Sequence, residues 1–446
     1  MIVKAQVKPD RDWKEYQTRT VAELDGFKSD PSIAVSPYGG RADVQCDASG
    51  FFRVEKRGDR FWIIDPDGHP FIHVAVVAVR PGKSEAQRAA FAARYRDEAE
   101  WGNAAARLLA DHCFNGTGAW SDPAIYRARP RMVYTCIWNF MSAFGRSLGI
   151  VHQEPGHVGY GGGVIPVFHP DFPAFCRRHA EQLAPLRDDP WCVGHFSDNE
   201  MPLRGDMLDR HLALDADDPV LCHGHAAATT WLAERKGAAA GVDDVTDDDR
   251  EAFRELVCDR YFEVTTAAIR AADPNHCCLG SRFHGQEKTS PGAFRAAGRH
   301  LDIVAVNYYG SWGPDPELVR NWAAWSGRPF MVTEFYTKGA DAGFANTTGA
   351  GWIVPTQADR ARFYQHFTMG LLESGACVGW HWFKYMDNDP SDLTTDPSNR
   401  DSNKGIVTIA FEEYADVLNG MVELNKNVYA LCDHFDRARR GNEDHA

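Results

Sequence analysis

The chain is expected to fold as an α/β protein, a (β/α)8 or TIM barrel with a small N-terminal β element. Eight short, almost wholly apolar runs lie between residues 71 and 385, as strands covered on both faces of a parallel sheet do. Stretches with helical spacing separate them. A doubly wound sheet of this size would carry a glycine-rich phosphate turn after its first strand, and none is present.

Three segments follow in order. Residues 1–70 read as a lead-in and a small β element, 71–435 as the barrel, and 436–446 as a charged, disordered tail. Asp10 to Phe27 has room for a short helix, and Pro31, Pro37 and Gly39-Gly40 mark loops. Phe51 to Pro70 alternates like two strands, with turns at Gly58-Asp59 and Asp65-Pro-Asp-Gly68. Strand one is Phe71–Val79, followed by helix over Ser84–His112 with a break near Gly102. Strands two and three are Phe114–Trp120 and Met132–Phe140, and a helix over Phe172–Leu186 leads to strand four, which opens at Trp191. Helices over 219–236 and 248–272 follow, the second stopped by Asp273-Pro274. Cys277–Phe283, Leu301–Tyr309, Pro329–Phe335 and Cys377–Tyr385 are strands five to eight. Helices are expected over Pro355–Ser374 and from Glu413 to Cys432.

The totals exclude several classes of function. Of 446 residues 44% are hydrophobic and 25% charged, which suits a soluble chain with one large core. A net charge of −14 without any basic run argues against nucleic acid and anionic membrane as partners. No apolar run reaches 18 residues, and the N-terminus has no apolar signal core. The 11 cysteines show no zinc spacing, and adjacent Cys277 and Cys278 point to opposite faces of a strand, so a reducing, cytoplasmic location is expected. Nothing calls for a cofactor or a metal, and a homo-oligomer is left open.

Function is carried by two strand ends. The stretch Trp191-Cys-Val-Gly-His-Phe-Ser-Asp-Asn-Glu200 begins as a buried strand and turns polar where it should stay apolar. Barrel chemistry sits at the C-terminal ends of the strands, so Glu200 is placed as a catalytic carboxylate rather than a helix cap. Strand seven likewise ends in Thr333-Glu334-Phe335. Glycoside hydrolysis needs two carboxyls flanking one bond, and in the retaining form they stand about 5–5.5 Å apart. Trp120, Trp138, His73, Arg282, His284 and Lys384 lie in or just after strands and are candidate sugar contacts. Gly149 to Gly163, with His152, Glu154 and His157, reads as a flexible rim, and Met386 to Asp401 as a solvated loop without the spacing of a calcium loop.

The Asn199-Glu200 pair and Glu334 together resemble the large clan of retaining glycosidases on this fold. That resemblance implies Glu200 as acid/base, Asn199 as donor to the sugar 2-hydroxyl and Glu334 as nucleophile. Tyr308 or Tyr309 would hydrogen-bond the nucleophile, lowering its pKa, while burial keeps Glu200 protonated. Trp380 or Trp382 would form the floor under the cleaved sugar, at least one of the two facing inward. More narrowly, Gly50-Phe-Phe-Arg-Val, Arg60-Phe-Trp-Ile-Ile-Asp-Pro-Asp-Gly-His-Pro-Phe71, Asn115-Gly-Thr-Gly-Ala-Trp-Ser-Asp122, Val167-Phe-His-Pro-Asp-Phe172 and Ser402-Asn-Lys-Gly-Ile-Val407 are similar to agarase-like members of glycoside hydrolase family 50. Those pieces span roughly residues 50–430. The resemblance implies exo action on β-linked galactose-containing oligosaccharides of the agar or porphyran type. The carbohydrate-binding β-domain and leader of many secreted agarases are not found, which favours a small imported oligosaccharide. A β-glucoside or β-mannoside is the alternative substrate, and a catalytically silent sugar-binding barrel the alternative class. A metal-dependent barrel hydrolase would need His-x-His after strand one, where His73 stands alone.

Overall fold

The structure is a computed structural model and describes residues 1–443. Its centre is an eight-stranded parallel sheet: β1 (His73–Val76), β2 (Gly116–Thr117), β3 (Val133–Ile137), β4 (Cys192–Asn199), β5 (Cys277–Arg282), β6 (Val304–Asn307), β7 (Phe330–Phe335) and β8 (Cys377–Trp382). Neighbours follow chain order, and β8 returns to β1 in the register Gly379–His73 to Trp382–Val76. The last seam, between β5 and β6, is closed by Phe283. Its N–H donates to Ala305 O at 2.9 Å and its carbonyl accepts from Asn307 N at 2.7 Å. The eight runs read from the sequence are thus strands of one barrel, each shorter than its apolar run because pairing stops where the chain turns into a loop.

Apolar side chains fall into two shells. Val133, Val193, Leu279, Ile303, Met331 and Val378 fill the barrel, and a larger cluster lies between the strands and the helices. Cys277 belongs to the inner shell and Cys278 to the outer, as alternation along a strand requires. Ahead of the barrel, Arg53–Arg57, Arg60–Ile64 and Pro70–Phe71 form a three-stranded antiparallel sheet. Its Phe52, Ile63 and Phe71 are buried with the residues that start the barrel strands, so it stops the N-terminal end. Burying each such side chain is worth about 1.5–3 kcal/mol.

Five local expectations are corrected. Residues 10–27 hold a single 3-10 turn, Val21–Glu23, and no α-helix: Lys14–Gln17 pairs antiparallel with Ile2–Ala5, and Tyr16 packs on Trp312 and Trp352 at ring distances of 5.0 and 4.9 Å. The break in Ser84–His112 falls at Asp97, which caps a second helix, Glu98–Asp111, by accepting from Glu100 N. Gly102 lies inside that helix, where an added Cβ would meet the Ala124 carbonyl at 3.0 Å. The expected last helix is two, Ala415–Asn425 and Val428–Glu443. The second runs through most of the tail expected over 436–446, held by the Arg60–Asp436 ion pair at 2.7 Å; residues 444–446 lie outside the described residues. The rim expected over 149–163 is an ordered hairpin, Val151–Glu154 with His157–Tyr160. Its turn is tied across the mouth by Gly156 N, which donates to Asp396 Oδ2 at 2.9 Å. Among the described residues no helix is long and apolar enough to cross a membrane.

Candidate active site

Four strands end in a non-glycine residue with positive φ: Ala78, Trp120, Asn139 and Glu200 follow β1, β2, β3 and β4. At Glu200, φ is 50°, a left-handed conformation that costs an L-residue roughly 1–2 kcal/mol. Its N–H is held by the Arg282 carbonyl at 3.1 Å, and the turn swings the carboxyl inward until only 9% of the side chain is exposed. Asn307, closing β6, donates through Nδ2 to Glu200 Oε1 at 2.7 Å and to Asn199 Oδ1 at 3.1 Å. Thr333 Oγ1 donates to Asn307 Oδ1 at 2.9 Å and so fixes which way that amide points. The sequence reading missed Asn307, although an amide closing Val304-Ala-Val-Asn307 is the kind of polar strand end that singled out Glu200.

Glu334 stands within β7, its side chain 7% exposed, between two donors. Arg282 Nη2 reaches it at 2.8 Å and the Tyr309 hydroxyl at 2.6 Å. Arg282 is itself wholly buried, bonded to the Thr333 carbonyl at 2.7 Å and lying 4.5 Å over the Trp120 ring. Burial pushes the Glu334 carboxyl above its ordinary pKa; the Arg282 charge pulls it down, the Glu200 charge pushes it up, and Tyr309 pulls it down again. Burial likewise raises Glu200, opposed first by the Asn307 amide. Glu334 therefore faces a fixed cation and a phenol, which favour its charged form, whereas Glu200 has an amide and two imidazoles. Of these, His284 Nδ1 lies 3.3 Å away and is kept towards its neutral form by burial, and His157 Nδ1 lies 3.8 Å away.

The structure thus gathers Asn199, Glu200, Arg282, His284 and Glu334, with Trp120 beneath Arg282. Of the tyrosine pair it is Tyr309 that meets Glu334. Tyr308 faces the helices, where its hydroxyl accepts from Asp315 N at 3.0 Å and its ring packs on Trp322 and Phe367. His73 is no sugar contact: it is wholly buried inside the barrel, bonded to His381 at 3.0 Å and pushed down to about 3 by burial. Trp138 lies outside the barrel wall, its Nε1 donating to His195 Nδ1 at 3.1 Å among Tyr134 and Cys136. Trp380 and Trp382 are both fully buried on the helix side. Trp380 Nε1 donates to Tyr364 at 2.8 Å, and Trp382 packs 5.9 Å from that ring. Residues two apart on a strand share a face, so neither is a floor for sugar. The half-buried aromatic after β8 is Phe383, reached from Glu334 by a chain of rings: Tyr309 to Tyr336 at 5.6 Å, then Tyr336 to Phe383 at 5.8 Å. Lys384, next to it, is held by Asn388 Oδ1 and pushed well down by burial and the Lys404 charge.

The acidic loop is more than a solvated rim. Asp387 is fully buried and accepts from Asn403 Nδ2, Lys404 N, Gly405 N and Tyr414 OH at 2.7–3.0 Å. It anchors the Ser402–Val407 motif, while Asp392 and Asp396 cap turns of the loop itself.

No family model matches the sequence. The chain is 24% identical over 501 residues to the β-agarase B of Vibrio sp. (strain JT0107), covering 89% of this chain and 50% of that protein. It is 26% identical over 392 residues to β-agarase A of the same strain, covering 77% and 38%. The chain thus spans half or less of the length of these curated relatives. Among solved structures it is similar to BpGH50, with a TM-score of 0.85 and 30% identity over 98% of this chain and 96% of that one. An agarase, AgWH50C (TM-score 0.73, 23% identity, 90% and 67% coverage), and an exo-β-agarase (0.74, 19%, 92% and 70%) share the fold.

Proposed function

Since the chain belongs to glycoside hydrolase family 50, we propose that it is a retaining, exo-acting hydrolase of β-linked galactose-containing oligosaccharides of the agar or porphyran type. The observation that carries this reading is the pair of buried carboxyls at the ends of β4 and β7, each with different partners. Glu334, with Arg282 and Tyr309 favouring its charged form, attacks the anomeric carbon. As that bond forms, the glycosidic C–O bond breaks and Glu200 gives its proton to the leaving oxygen. Glu200 then takes a proton from water, the water oxygen displaces Glu334 from the anomeric carbon, and a β-configured sugar leaves. Asn199 accepts from Asn307 through Oδ1, which turns its Nδ2 towards the sugar 2-hydroxyl. Phe383 offers the aromatic surface, backed by the buried Tyr336. The hairpin pinned at Gly156 sets His157 beside Glu200 and narrows the mouth, which supports a pocket for a chain end rather than an open groove. The substrate class rests on the names of the relatives, β-agarase and exo-β-agarase. Eleven free cysteines support a reducing cytoplasm, where the substrate would arrive as an imported oligosaccharide.

The test is a panel of agar- and porphyran-derived oligosaccharides and aryl β-glycosides, with the first-formed anomer followed by NMR. Glu200→Gln and Glu334→Gln are expected to keep the wild-type circular dichroism and to lose roughly 10²–10⁴-fold or more in turnover. An α-anomer appearing first, or a variant with near-normal rate, would sink this reading.

A further inference from the structure

Two groups of side chains among the described residues have the spacing to share a metal ion. One, Cys192, His195 and His276, is saturated. His195 uses its nitrogens on Trp138 and Asp273, and His276 uses its own on Asp273 and the Asp189 carbonyl. The other, His157, Glu200 and His284, is not. Each offers a ligand atom within 4.8 Å of the others, and the Nδ1 of His284 is buried without a hydrogen-bond partner.

The distances discriminate between two accounts of this cluster. An N–H···O hydrogen bond to a carboxylate would measure about 2.7–2.9 Å. The observed separations are 3.3 Å from His284 Nδ1 to Glu200 Oε1 and 3.8 Å from His157 Nδ1 to Glu200 Oε2. Ligand atoms about 2.0–2.1 Å from a tetrahedral zinc stand about 3.3–3.4 Å apart; the His284 separation meets this, while the His157 separation, to the other Glu200 oxygen, is longer, so an ion would draw His157 in on its hairpin. The surroundings fit as well. A metal-bound histidine normally presents its other nitrogen to a carboxylate, and His157 Nε2 lies 3.7 Å from Glu154, which is flanked by His152 at 3.3 Å and Arg204 at 3.7 Å. Two imidazoles and one carboxylate suit zinc or copper rather than calcium or magnesium, which take oxygen sets.

We propose that His157, Glu200 and His284 form a transition-metal site with one open position, and that a divalent ion such as Zn2+ bound there switches the enzyme off. The switching half rests on the hydrolase reading above. A metal-ligated Glu200 stays deprotonated and has no proton to give the leaving oxygen. His157 rides on the hairpin, so the ion would also clip that hairpin onto the end of β4.

Isothermal titration of the full chain with ZnCl2, together with the visible spectrum of the Co2+ form, reads binding without any substrate. One equivalent is expected. His157→Asn and His284→Asn should each weaken it at least tenfold and remove the tetrahedral Co2+ bands, whereas Cys192→Ser should change neither. Zinc inhibition of the wild type should be relieved to the same degree in whichever variant still turns over. Circular dichroism checks folding; should His284→Asn fail it, His157→Asn, on a half-exposed hairpin, decides. Absence of binding in the wild type, or binding unchanged by His157→Asn, overturns the site. Zinc binding in a protein that cleaves no oligosaccharide would strike the hydrolase reading and leave the metal site standing.

Discussion

The Tyr309 hydroxyl donates to Glu334 across 2.6 Å, whereas that of its neighbour Tyr308 accepts from the backbone of Asp315. A hydrogen bond to a charged group is worth about 1.5–3 kcal/mol, so Tyr309→Phe should lower kcat/KM by roughly 10–150-fold. It should also raise the pKa of Glu334, because the lost donor stabilised the charged form. The acidic limb of the pH–rate profile should then move to higher pH. Tyr308→Phe should leave the rate within about twofold while lowering the Tm slightly, and equal effects of the two variants would contradict this assignment. The burial of Glu200 and Glu334 at strand ends was legible because a carboxylate at the end of an apolar strand has no cheap structural use. Alternation along β6 separates the two tyrosines but does not say which parity faces inward, so sequence left both open. The same rule, applied to β8, should have placed Trp380 and Trp382 on one face. Phe383 escaped notice because the run of apolar residues conceals where the strand stops.

On the outer face of β4, His195 joins a network that ties this strand to the turn before β5. Asp273 accepts from His195 Nε2 at 2.8 Å and His276 Nδ1 at 2.7 Å. Burial pushes Asp273 up, but the two imidazoles outweigh it and hold the carboxyl well below its usual range. Burial pushes His195 down, but Asp273 and Cys136 outweigh it and hold the ring above its ordinary value. The ionised Asp273 therefore contributes stability that is present above about pH 4 and lost as the pH falls towards its folded pKa. Asp273→Asn, which takes from two buried imidazoles the carboxylate that accepts from both, should cost about 1–3 kcal/mol. Thermal unfolding followed across pH checks it. A variant with the wild-type Tm near about pH 5.5 would show that the pair contributes nothing there. The Asp273-Pro274 helix stop was readable in the sequence; the two histidines it gathers, 78 and 3 residues away, were not.

For the molecule as a whole, strand order followed from the alternation of apolar runs and helical stretches, since a parallel sheet allows few connections. Its long-range ties were beyond that reading. Arg60 pairs with Asp436, and the hairpin turn at Gly156 reaches Asp396 after β8; nothing local in either segment announces its partner. Such ties turned a presumed tail into helix and a presumed rim into a strap.

The seam between β5 and β6 has a consequence for motion. The junctions β4–β5, β6–β7 and β7–β8 each hold four registered residue pairs, whereas β5 and β6 meet through Phe283 at the mouth and through Asp302, just before β6, whose N–H donates to the Cys278 carbonyl at 3.0 Å. Local opening follows the weakest pairing, so in native-state hydrogen exchange the amides of Phe283 and Asn307 should lose protection before that of Val332 in the middle of β7. Equal protection at all three would refute this. Arg282 and His284 lie on one lip of the seam, Asn307 and Tyr309 on the other; the Glu334 carboxyl is held from both lips, and Glu200 is held by its N–H from one and its carboxyl from the other. Each time the seam parts, the charge pattern around both carboxyls comes apart with it, and the fraction of molecules poised to react is capped by how seldom that happens.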